Sequence, residues 1–145
     1  MGKGTFVEDL SQCTVLAVDD SEYNINIIVK VLEQDYKIVT TQSAEAAIKM
    51  ADSTPPDIIL LDVMMPEMDG YEVCTHLKGN PKTKDIPVIF LSAMDEVQNR
   101  KKGFQLGAVD YITKPFDLLE LQAKVKTHLS LLVARRELAK LRKPA

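Results

Sequence analysis

Charged and hydroxyl side chains stand where four apolar runs of this sequence stop. Residues 13–18 end at Asp19 and Asp20, and residues 57–61 end at Asp62. Residues 86–91 end at Ser92, and residues 109–113 end at Lys114-Pro115. Two adjacent acids such as Asp19 and Asp20 repel each other unless a cation lies nearby. Hard oxygen ligands without a histidine or thiol partner suit Mg²⁺; the pair could equally serve only the dipole of a following helix. Asp62 shifts that balance, because a carboxylate placed only for solubility would not close the most apolar run. Beside a metal and a lysine it could attack phosphorus and form an aspartyl phosphate. Mg²⁺ and Lys114 would neutralise the phosphoryl oxygens, and Ser92 could donate its hydroxyl to one of them. Lys114 could instead be an ordinary surface lysine, but it precedes Pro115, and a cis bond there would aim it inward.

These residues meet only if the runs are parallel strands whose carboxyl ends share one crevice, the place where open α/β sheets bind ligands. The intervening patterns are helical. Ser21 is a plausible N-cap, followed by Ile25, Ile28, Val29 and Leu32 at helical spacing. A second strand near 36–41 leads to Ser43, another cap, and to Ala44, Ala47, Ile48 and Ala51. Val73, Cys74 and Leu77 mark a third helix, closed by Gly79-Asn80-Pro81. The fourth, around 95–105, has only Val97, Phe104 and Leu106 as strong apolar residues near it, and Gly103 weakens it. It is therefore expected to be loosely held. Asp117 and Glu120 stand in a capping-box arrangement at the start of a last helix that runs to about Leu141. Five strands alternating with five helices imply an α/β parallel sheet, with the most apolar strands, one and three, inside it. Right-handed crossovers then favour the order 2-1-3-4-5.

The chain has 145 residues, enough for one domain with its own core, and is 46% hydrophobic and 27% charged. Its net charge of −3 gives no reason to expect nucleic-acid binding by the whole chain. Cys13 and Cys74 sit in apolar settings and read as buried free thiols. No apolar stretch approaches the roughly 20 residues of a membrane span, and the N-terminus lacks a signal-peptide core. A cytoplasmic protein is expected. His76 and His128 have no second ligand at metal spacing and read as surface or boundary residues.

The sequence resembles the receiver domains of bacterial two-component response regulators, over roughly residues 13–130. The resemblance is carried by Val18-Asp19-Asp20-Ser21, by Asp62-Val63-Met64-Met65-Pro66-Glu67-Met68-Asp69-Gly70, by Leu91-Ser92-Ala93, and by residues 107–115, Gly-Ala-Val-Asp-Tyr-Ile-Thr-Lys-Pro. It implies a flavodoxin-like (βα)5 doubly wound fold and a phosphorylation-activated signalling switch. It further implies Asp62 as phospho-acceptor, fed by a histidine kinase or phosphotransfer protein. Asp20, Asp62 and the backbone carbonyl of Met64 would bind Mg²⁺, with Asp19 acting mostly through water. Lys114 would contact the phosphate, while Ser92 and Tyr111 would form a switch pair whose ring turns inward on activation. The output face would be the fourth helix, fifth strand and fifth helix. Such a receiver catalyses its own phosphoryl uptake and loss but is not a turnover enzyme. Met64 and Met94 stand where some relatives place acids or amides that orient a hydrolytic water, so a long-lived phosphoryl group is expected.

Residues 1–12 read as a polar arm, 13–130 as the receiver and 131–145 as a basic helical extension or linker. Leu131, Ala134, Leu138 and Leu141 form a coiled-coil seam that would admit a homodimer, as would the output face. Residues 134–145 carry a net +4, which also fits a solvated helix end. No aromatic or helix-turn-helix signal accompanies those charges, which argues against direct nucleic-acid binding. Two rival functions use the same residues. An aspartate-nucleophile phosphatase of the haloacid-dehalogenase kind needs an Asp-x-Asp pair after its first strand, whereas Asp19 and Asp20 are adjacent. A pseudo-receiver that only binds a partner would lack the acids or the lysine.

Overall fold

The structure is a computed structural model that describes residues 9–93 and 100–142. Its strands are β1 (Thr14–Val18), β2 (Lys37–Thr41), β3 (Ile58–Asp62), β4 (Val88–Ala93) and β5 (Asp110–Lys114). The helices between and after them are α1 (Glu22–Leu32), α2 (Ala44–Ser53), α3 (Gly70–Lys78), α4 (Arg100–Gln105) and α5 (Leu118–Arg142). All neighbouring strands are parallel, in the order 2-1-3-4-5. The expected topology is therefore observed, with β1, β3 and β4 inside and β2 and β5 at the edges.

Strand alternation builds two apolar layers. Leu16, Val18, Ile59, Leu61, Val88, Phe90 and Tyr111 face one side and meet α2 and α3 through Ala47, Ala51, Val73, Cys74 and Leu77. Val15, Ala17, Ile58, Leu60, Ile89, Leu91 and Ile112 face the other side and meet α1 and α5 through Ile28, Leu32, Leu121, Val125 and Leu129. A strand covered on both faces must be apolar at every position, which is why the inner strands read as unbroken runs.

The caps explain where the helices begin. Ser21 and Ser43 accept from the amides of Asn24 and Ala46, as expected. The full capping box belongs to α3, where Asp69 accepts from Glu72 N and Glu72 accepts from Asp69 N. At α5 only half of the expected box forms: Asp117 Oδ1 accepts from the amides of Leu119 and Glu120. Glu120 is drawn instead to Lys124, one turn on, at 3.6 Å.

The edges of the sequence-based divisions also shift. Leu10, counted with the arm, is buried in the α1/α5 layer. Cys13 precedes β1 instead of lying within it, and both cysteines are free and buried. Val133 packs on the same layer, and Arg136 Nη1 reaches Asp57 Oδ1 at 2.9 Å, so the extension is tied to the domain for at least one turn. The seam itself faces solvent, with Leu131 44%, Leu138 51% and Leu141 82% exposed. The expected early part of α4, with Val97, and the residue Met94 lie outside the described residues. Among the described residues, no helix is long and apolar enough to cross a membrane.

Candidate functional site

Each strand end delivers one part of an acidic crevice. Asp19 follows β1 directly and is fully buried, while Asp20 beside it is exposed. Asp19 Oδ1 accepts from Ser21 N at 2.9 Å, and Asn24 Nδ2 lies 3.4 Å from both carboxylate oxygens. The start of α1 thus holds the first acid in place. Asp62 is the last residue of β3 and only 2% exposed. Its backbone is pinned by close approach, since a Cβ on Gly70 would lie 2.2 Å from the Asp62 carbonyl oxygen. Gly70 N also donates to Val63 O at 2.8 Å, closing the loop that follows the strand. Only glycine lets α3 begin against that strand end.

From the far side of β4 comes Lys114, the last residue of β5, whose bond to Pro115 is cis. Its Nζ lies 2.8 Å from Asp62 Oδ1 and 3.1 Å from Asp19 Oδ2. Carboxylate oxygens of Asp19, Asp20 and Asp62 come within 4.8 Å of one another. Three acids and one ammonium leave the crevice short of positive charge. Burial is the main cause that pushes the Asp62 carboxyl up to about 7; neighbouring Asp19 adds to this, and Lys114 opposes it. Burial alone would lower the Lys114 ammonium, but its bond to Asp62 and the field of both carboxylates hold it above its ordinary value.

Three buried side-chain oxygens have no hydrogen-bond partner among the described residues: Asp62 Oδ2 and Ser92 Oγ, which belong to the crevice, and the Tyr111 hydroxyl, which does not. Buried polar atoms without partners are rare in folded proteins and call for an explanation. The donor set here is hard and anionic, and it is incomplete without a cation, so it fits a small oxygen-seeking divalent metal. Met64 contributes main chain only: its amide donates to Asp62 Oδ1 at 3.2 Å, and its side chain is 64% exposed.

Tyr111 lies outside the acidic cluster. It sits beside Phe90 in the β4–β5 register, two pairs below Ser92 and Thr113. Its ring is buried, 5.4 Å from that of Phe90 and 5.2 Å from that of Phe104. Burial pushes its phenol well above the ordinary value. The resemblance has this ring turning inward on activation; here it is inward while the Ser92 hydroxyl is still unbonded.

Helix-borne contributors escaped the sequence reading. Asn24 orients Asp19, and Arg100 donates to Thr113 Oγ1 while its guanidinium lies 5.3 Å from the Tyr111 ring centroid. Gly103, read as a weakness of the helix, is buried against that same ring.

The family model for the response regulator receiver domain matches residues 15–126. The chain belongs to the receiver domain family of response regulators. Among curated relatives, a probable cyclic di-GMP phosphodiesterase of Vibrio cholerae is 47% identical over 123 residues, covering 85% of this chain and 28% of that protein. The response regulator PleD of Caulobacter vibrioides is 43% identical over 114 residues, covering 78% of this chain and 25% of PleD. The chain therefore spans about a quarter of the length of these two relatives. The crystal structure of a putative response regulator from Chloroflexus aurantiacus superposes with a TM-score of 0.79 at 33% identity, covering 83% of this chain and 99% of that one. Receivers are phosphorylation-activated switches of two-component signalling that accept phosphoryl groups from histidine kinases, and the described residues of this chain have the receiver fold.

Proposed function

We propose that this receiver takes a phosphoryl group onto Asp62 and reports it through the face formed by α4, β5 and α5. The observation that supports this most is the Lys114 ammonium, 2.8 Å from Asp62 and 3.1 Å from Asp19 at the end of the buried sheet. A carboxylate oxygen of Asp62 attacks the phosphorus of a phosphohistidine on a histidine kinase or phosphotransfer protein. The phosphorus–nitrogen bond breaks, and the imidazole leaves with its electron pair. Asp20, Asp62 and the backbone carbonyl of Met64 are the ligands assigned to Mg²⁺, with Asp19 acting through water. When bound, that ion supplies positive charge against the phosphoryl oxygens. Lys114 offsets the charge from the other side, and its fixed position means little reorganisation during transfer. Ser92 gains a partner by donating to a phosphoryl oxygen. Its shift toward the site favours the inward ring of Tyr111, so phosphorylation biases a two-state face instead of creating one.

Uptake and hydrolysis at Asp62 are the only chemistry assigned to the domain. The V. cholerae relative's name describes a protein more than three times as long as the matched part. Cytoplasmic residence follows from a kinase donor, and the leucine seam of α5 or the output face is the proposed contact for a second copy. With Met64 pointing to solvent, and with no acid or amide at 64 or 94, the phosphoryl group should persist for many minutes. Label lost within seconds from the purified phosphoprotein would contradict that.

The test is uptake of label from a small phosphodonor with Mg²⁺. Asp62→Asn should reduce uptake by at least about 100-fold, since removal of a nucleophile removes the route itself. Uptake equal to the parent's would overturn the assignment.

A further inference from the structure

Among the described residues, the fourth helix packs on the sheet at Gly103, a position without a side chain. An ideal Cβ built on Gly103 would lie 1.9 Å from the Tyr111 hydroxyl oxygen, 2.8 Å from its Cζ and 3.0 Å from Phe90 Cδ2. The first two distances are shorter than non-bonded contact allows, so with alanine at 103 either the ring or the helix must shift. The ring has no room to yield sideways. Phe90 flanks it at an interplanar angle of 40°, Phe104 meets it edge-on, and the Arg100 guanidinium lies over it. Arg100 also donates to Thr113, which is paired with Ser92 in the strand register. Among the described residues, the helix thus meets β5 through the Arg100 guanidinium on Thr113 and through the packing of Gly103 and Phe104 on Tyr111.

We infer that Gly103 is a positioning residue of the switch: the space left by its absent side chain is the seat of the Tyr111 hydroxyl, so the inward ring and the docked α4 are a single state. This rests on the reading of Tyr111 as the aromatic half of the switch. Ring movement and helix movement are then obligatorily coupled, and any change that favours one favours the other. The glycine is kept for contact, at the expense of helix propensity.

A double-mutant cycle in the full chain tests this. In an ordinary helix, Gly→Ala raises stability. Here Gly103→Ala should lower the melting temperature when Tyr111 is present, and raise it or leave it unchanged in a Tyr111→Ala background. That reversal of sign is the expected result, and an equal loss in both backgrounds would overturn the inference. Gly103→Ala with Tyr111 intact should also weaken binding of beryllofluoride with Mg²⁺ by roughly 3- to 10-fold, because the competent state becomes less populated. Ring resonances of ¹³C-labelled tyrosine should lose their contact with Phe104 at the same time. Unchanged contact in a folded Gly103→Ala protein would also overturn it. If the sign reverses but the parent's Tyr111 resonances do not respond to beryllofluoride, the seat stands and the switch role of Tyr111 falls.

Discussion

β3 carries an aspartate at each end, and the two carboxylates live in opposite conditions. Asp57, just before the strand, accepts from Thr14 N at 2.7 Å through one oxygen and from Arg136 Nη1 at 2.9 Å through the other. Asp62, the strand's last residue, has Lys114 and the Met64 amide on Oδ1 and no partner on Oδ2. Asp57 is partly open to solvent and Asp62 is almost wholly buried. Structural carboxylates are satisfied where they stand. One that is buried, crowded by acids and half-bonded has been left for something that is not protein. Residue type alone does not separate the two.

The sharpest way to break this comparison is to neutralise each end in turn. Asp62→Asn should stabilise the metal-free protein by about 1–2 kcal/mol at pH 8, a reduced share of what its raised pKa implies. The sign follows from the direction of the shift. With the folded value near 7 against 3.8, the folded state holds the proton more tightly, so stability from this group is full below pH 4 and is lost as pH rises to about 7. The gap between variant and parent should therefore open across that window in urea melts, and a gap that narrows would refute the assignment of strain to Asp62. Asp57→Ala should do the reverse, costing about 1 kcal/mol through the lost bond to Thr14 while leaving phosphoryl uptake unchanged. Arg136→Ala should cost least, about 0.5 kcal/mol or less and fading with salt, because its ion pair is largely exposed. A larger loss would mean that the extension of α5 is held by more than this pair.

Much of the fold could be read from the chain because its inner strands are covered on both faces. Burial on two sides forces unbroken apolar runs, and the polar residue that ends each run is then conspicuous. Asp19, Asp62 and Ser92 were found in that way, Lys114 from its place before Pro115 at the end of the edge strand β5, and the serine caps follow equally local rules. Contacts carried on helices were not legible, because a helical side chain's partner depends on rotation and crossing angle. Arg136 looked like one of several solvated cations, yet it meets a residue 79 positions away. Asn24 stands one residue before the apolar stripe of α1, and that spacing gives no sign of its bond to Asp19. Gly103 was misjudged because propensity scales describe a helix alone, whereas this glycine answers to a tyrosine on a strand. The C-terminal helix misled in a smaller way, since Glu120 had two eligible partners and the nearby lysine won.

The tight approach of Gly70 to the end of β3 has a consequence for how such a domain could be retuned. The hairpin-like excursion between Val63 and Gly70 is clasped at its base by main-chain atoms, and its outermost residues, Met64 among them, project away. If Asp62 is phosphorylated as proposed, substitutions at exposed loop positions such as Met64 would alter how readily solvent reaches it while the Asp62 carboxylate keeps its place. On that proposal, the duration of the signal and the ability to receive it would be separately adjustable.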